Sequence, residues 1–166
     1  MIAMKITLVT LTALCLFGCN SQTNLSLEDA EKAFLRTYAT QALNDFHLQY
    51  LGATSPPGDT IEAFGARYMT KELHTLDQAR DLVKTSSERF IQEANKDPNL
   101  KKYFKESIFD LSQLDYYISF WDENTDRPPK PYVALATVKE GQITYYFKSD
   151  DSEFLDNAAT ITESLN

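Results

Sequence analysis

The chain has 166 residues, enough for one domain with a closed core, and its 43% apolar and 24% charged residues make a globular composition rather than a disordered one. A formal net charge of −8 repels phosphate backbones and argues against a nucleic-acid partner. Both cysteines, Cys15 and Cys19, lie near the start, so everything after Cys19 lacks disulfides, thiolate nucleophiles and thiolate metal sites.

The chain opens with MIAMKITLVTLTALCLFGCNS: one cation, Lys5, then an apolar run from Ile6 to Phe17. A lasting transmembrane helix needs about 20 such residues. The shorter run suits the apolar region of a cleaved signal peptide. It closes on Leu16-Phe17-Gly18-Cys19 and turns polar at once. This end resembles the lipobox of bacterial lipoproteins, with Leu three places before the Cys and a small residue just before it. Phe17 departs from the small or aliphatic residue usual at its position. The resemblance implies cleavage before Cys19, acylation of its sulfur, and attachment of the mature protein to a membrane through that residue. Asn20, where Asp would favour inner-membrane retention, implies the outer membrane in a Gram-negative host. A cleaved signal peptide with an incidental Cys is the plainer alternative, and Met4, opening MKITL, is an alternative start. The expected division is therefore signal peptide over 1–18, lipidated Cys and short tether over 19–25, and one domain over 26–166.

Ser26, with Asp29 three residues on, predicts a helix N-terminus. Leu27, Ala30, Phe34, Tyr38, Ala42, Phe46 and Tyr50 continue the stripe, so one long amphipathic helix is expected from Leu27 to Tyr50. GATSPPGD ends it. Residues 61–74 read as irregular or as a short helix. Thr75 and Gln78 form a capping-box pattern ahead of a second helix that ends near Asn95, and Asp97-Pro98 starts a brief turn. The period then falls to two. Leu114, Tyr116, Ile118 and Phe120 alternate with Asp115, Tyr117, Ser119 and Trp121, which predicts a half-buried strand. Tyr132–Val138 and Gln142–Lys148 follow as strands joined by a tight turn at Glu140-Gly141. Ser152, Phe154, Ala158, Ile161 and Leu165 predict a last helix. The expected fold is α+β: two N-terminal helices, a three-stranded antiparallel meander and a C-terminal helix.

Chemistry-bearing patterns are few. Asp122, Asn124 and Asp126 match the first three ligands of a calcium loop, but the required Gly is Arg127 and the bidentate Glu is Val133. The segment therefore reads as a polar connection between strands. His47 and His74 have no local ligand partners, and no nucleophile motif, phosphate loop or cofactor-binding pattern is present. Asp110 and Asp115 could flank a substrate as a carboxylate pair, or simply decorate a solvated strand edge. By alternation Tyr117, Trp121 and Tyr146 share the sheet face opposite Ile118, Phe120 and Tyr145. An uncovered face would make these rings a patch suited to proteins or glycans; a helix over it would make them a second core layer.

YMTKEL, LDQARDLV, NKDPNLKKYF, LDYYISF and YVALATVKEGQITYY together resemble small exported bacterial proteins of no assigned function, over about half the chain. That resemblance implies an exported α+β domain and supplies no active site. The leading expectation is a lipid-anchored envelope protein that works by binding an envelope protein, a secreted protein or a surface glycan. The alternatives are an envelope hydrolase using Asp110 and Asp115, and an immunity or inhibitor lipoprotein that neutralises a basic secreted toxin or hydrolase.

Overall fold

The computed structural model describes residues 25–124, 126–149 and 159–164. The lipobox, Cys19 and the tether expected before Leu25 lie outside the described residues.

Helix α1, Leu27–Phe46, begins where the Ser26 hydroxyl accepts the Asp29 amide at 3.2 Å. It ends at His47, which takes the left-handed conformation (φ 55) and returns its amide to Leu43 at 3.2 Å. Strands β1, Gln49–Ala53, and β2, Ala66–Thr70, follow. Helix α2, Leu76–Lys96, opens with the Gln78 amide oxygen accepting from the Thr75 backbone at 2.9 Å. One turn, α3 (Pro98–Lys101), is capped by Asp97, whose carboxylate accepts two backbone amides. Strands β3, Tyr116–Phe120, β4, Leu135–Lys139, β5, Gln142–Phe147, and β6, Ala159–Ser164, complete the chain.

The strands form a single six-stranded sheet in the order β1-β2-β3-β4-β5-β6. Every pairing is antiparallel except β2 with β3, which is parallel because α2 carries the chain back between them. The fold is α+β, but four expectations are corrected. The meander is only the middle of a mixed sheet of six strands. The first helix stops at Phe46 because His47 caps it; Phe46 and Tyr50 sit four apart, which a helical stripe and a strand both tolerate. Ile61–His74 holds a strand, where Ala66, Tyr68 and Thr70 are buried and alternate with Arg67 and Met69. The expected C-terminal helix is overturned at Ile161, which lies in β6 opposite Tyr145. Thr160, Ile161 and Thr162 are β-branched and favour an extended chain. Ser152 and Phe154 lie outside the described residues.

The helices pack on one face of the sheet. Ala30, Phe34, Tyr38 and Ala42 of α1 and Ala79, Val83, Phe90 and Ala94 of α2 meet Ala66, Tyr68, Tyr116, Ile118, Ala136, Val138, Ile143 and Tyr145 from the strands. Phe90 is the hub, with rings of Phe34, Tyr38, Phe64 and Tyr116 centred 4.9–5.7 Å away. The Tyr38 hydroxyl donates to the Ser86 carbonyl at 2.7 Å, which ties α1 to α2. Burial pushes the Tyr38, Tyr68 and Tyr116 phenols well above their ordinary range, and Tyr145 is pushed up to about 12. At the entry to β2, Gly65 passes so close to β3 that an added Cβ would stand 1.9 Å from the Asp115 carbonyl oxygen. Only glycine permits that approach.

Candidate functional site

Alternation along each strand that buries one set of side chains turns the other set away from the helices. No described helix covers that second face. Strand register lays it out in rows. One runs Arg67, Tyr117, Thr137, Thr144, Thr162; the next runs Met69, Ser119, Leu135, Tyr146, Thr160. Within the first, the Thr144 and Thr162 hydroxyls lie 3.1 Å apart. Tyr117, Trp121 and Tyr146 are all half-buried, so each keeps an accessible edge or face. The structure thus brings the three predicted aromatic residues onto one face that no described helix covers, although no ring contact joins them.

Each of two of these rings carries a cation. The Arg67 guanidinium sits 5.7 Å from the centre of Tyr117, and that of Arg127 sits 4.4 Å from the centre of Trp121. Burial, and then the neighbouring Asp115 carboxylate, raise the Tyr117 phenol, while Arg67 opposes the rise. Arg127 also donates to the Ala134 carbonyl at 2.9 Å, and burial lowers its pKa. Its position is fixed by the loop that Trp121 opens. Trp121 donates its amide to Thr70 at 3.0 Å, and the Val133 and Ala134 amides bond His74 and Tyr146.

That loop contains the three residues of the partial calcium pattern. The Asp122 carboxylate accepts the amides of Asn124 and Asp126, both at 2.9 Å. The Asp126 carboxylate accepts the Arg127 amide and pairs with Lys148 at 3.1 Å, contacts that hold its pKa below the ordinary carboxylate value. These side chains organise their own turn. Among the described residues, no group of three or more His, Cys, Asp or Glu could hold a metal ion.

The two candidate carboxylates line different depressions, both bordered by Ser112. Asp110 lines a depression of about 550 Å³ with Ile91, Leu111 and Gly141, and its carboxylate accepts from the backbone and hydroxyl of Ser112. Asp115 lines another, of about 450 Å³, with Glu62, Lys139 and Glu140. A third depression of about 560 Å³ lies between α1 and β1, where burial raises the Glu31 pKa. His47 faces Glu72 at 2.6 Å, and His74 packs on Phe120 while its Nδ1 lies 2.8 Å from the Glu72 carbonyl. No described helix is long and apolar enough to cross a membrane.

Arg67, Arg127 and the threonine row were not singled out from the sequence. The alternation in ARYMT could have identified Arg67, since Ala66, Tyr68 and Thr70 leave it on the opposite face. Arg127 reaches Trp121 only through the fold of its loop, and no local pattern reports that. No family model, curated protein or solved structure matches this chain.

Proposed function

We propose that the protein is a binding module of the cell envelope, anchored through acylated Cys19, whose recognition surface is the open sheet face bearing Tyr117, Trp121 and Tyr146. The observation that carries the reading is this face, on which half-buried aromatic rings flanked by Arg67 and Arg127 lie opposite the helical layer. Rings and arginines of this kind dominate binding energetics because they bury a large rigid area at low entropic cost. Binding is favoured over hydrolysis because Asp110 and Asp115 line different depressions, whereas a carboxylate mechanism needs both on one substrate. The tether accounts for the lipobox resemblance, since two or three acyl chains at about 0.8 kcal/mol per buried CH₂ hold a soluble domain at a bilayer.

The test is in-cell crosslinking of an epitope-tagged chain, followed by purification from membranes. Wild type should capture a partner or polymer that a Tyr117→Ala/Tyr146→Ala variant loses, and Cys19→Ala should leave the membrane fraction. Unchanged capture by the double variant would remove the sheet face from the reading. A membrane-bound Cys19→Ala would remove the anchor.

A further inference from the structure

The sheet has two edges, and they are built differently. β1 is five residues long and its pairing slips between Tyr50 and Gly52, a bulge of the kind that blunts an edge. β6 runs six residues against β5 with no shift of register. It carries no proline, lysine or arginine, and its one charge, Glu163, is drawn back to Arg80 of α2. Its residues are exposed except Glu163, and among the described residues no strand pairs with its outer side.

Strand phase determines which backbone groups this leaves open. Glu140 and Gly141 both have positive φ, so they make a two-residue turn whose flanking residues, Lys139 and Gln142, exchange backbone bonds. Counting in twos along β5, Thr144 and Tyr146 also face β4, and the Ala134 amide donates to the Tyr146 carbonyl at 2.8 Å. Ile143, Tyr145 and Phe147 therefore bond Glu163, Ile161 and Ala159 of β6. The amides and carbonyls of Thr160 and Thr162 point the other way, out of the sheet. Such a row is a template for one more strand.

We propose that this strand is β6 of a second copy of the chain, antiparallel about a two-fold axis at Ile161. Thr160 and Thr162 then exchange backbone bonds with Thr162 and Thr160 of the second copy, which closes every bond these two residues leave open. Ile161 meets its counterpart in a non-hydrogen-bonded pair, with Cα atoms about 4.5 Å apart. That contact covers a side chain otherwise 37% exposed. Glu163 meets Ala159, so no like charges oppose each other. An axis at Thr160 or Thr162 would set Ile161 against Ala159 or Glu163 instead. A second copy is favoured over a foreign strand because β6 is self-complementary, apolar side chain to apolar side chain and open pair to open pair. Paired in this way, two six-stranded sheets become one. A single strand pair is smaller than the standard interface of roughly 1,600 Å², so the dimer should form in the micromolar range.

The test is sedimentation of the full chain in excess detergent over a concentration series. Wild type should pass from monomer to dimer. Thr162→Pro removes an outward amide while sparing the bonds to β5, and should weaken association roughly tenfold or more. Ile161→Lys should do the same by opposing two cations. Unchanged circular dichroism shows each variant to be folded. The register is read by mild oxidation of single-cysteine chains in a Cys15→Ser/Cys19→Ser background. Ile161→Cys should crosslink to itself, whereas Ala159→Cys should not, since its Cα atoms would stand about 14 Å apart, beyond disulfide reach. A chain still monomeric at about 1 mM, association that neither variant weakens, or crosslinking of Ala159→Cys as fast as Ile161→Cys would overturn the proposal. A monomeric chain whose in-cell capture of another protein is lost in Thr162→Pro would overturn it in favour of a foreign strand on the same edge.

Discussion

Along β3, Tyr116, Ile118 and Phe120 meet the helical layer, while Tyr117, Ser119 and Trp121 meet the open side. Adjacent tyrosines therefore live in different media. Tyr116 is wholly buried against Tyr68 and Phe90, whereas Tyr117 is half-buried beneath Arg67. Tyr145 and Tyr146 repeat the contrast in β5. A tyrosine turned inward contributes through the apolar area it buries. One turned outward contributes little to stability and keeps a ring and a hydroxyl for a partner.

The comparison can be broken at several places, and the largest effect belongs to the hub of the buried side. Phe90→Ala should destabilise by about 3–5 kcal/mol, because it removes ring contacts from both helices and the sheet at once. Urea unfolding measures it, and a loss under about 1 kcal/mol would show that the core is not centred there. Gly65→Ala should cost about 1–3 kcal/mol by forcing β2 away from β3, and amides of those strands should exchange faster.

Alkali sharpens the contrast. Buried phenols have raised pKa values, so the folded state binds protons that the unfolded state releases above pH 10, the ordinary tyrosine value. Stability is full below that pH and falls as pH rises beyond it. Tyrosinate absorbance for Tyr38, Tyr68 and Tyr116 should appear together with unfolding rather than before it. Early, non-cooperative titration of all tyrosines would contradict their burial. Tyr68→Phe should be neutral or stabilising, since it deletes a buried hydroxyl without a partner among the described residues.

The smallest stability effect is expected on the open face. Tyr117→Ala should change unfolding by no more than about 1 kcal/mol while abolishing capture of a partner. A larger loss would mean that another part of the chain packs over this face.

Much of this contrast was legible in the residues. Strict alternation in β3 and β5 placed Tyr117, Trp121 and Tyr146 on one face, because the period of two leaves no other arrangement. The capping pairs Ser26-Asp29 and Thr75-Gln78 marked both long helices, since the Ser26 hydroxyl and the Gln78 side chain accept amides that the first helical turn leaves unbonded. Local pattern failed where two structures share one spacing. Phe46 and Tyr50 suit a helical stripe equally well, and Ile161 fitted both a helix face and a strand. A left-handed residue at His47 and pairing with β5 decided these cases. Composition, the apolar run ending in Leu-Phe-Gly-Cys, helix starts and strand faces are properties of neighbouring residues, and the chain determines them by itself. Tertiary structure alone decided that β2 joins β3 in parallel, that Arg127 lies on Trp121, and that Asp110 and Asp115 line different depressions. Each depends on contacts between segments distant in sequence or on how a loop folds back, which no local period encodes.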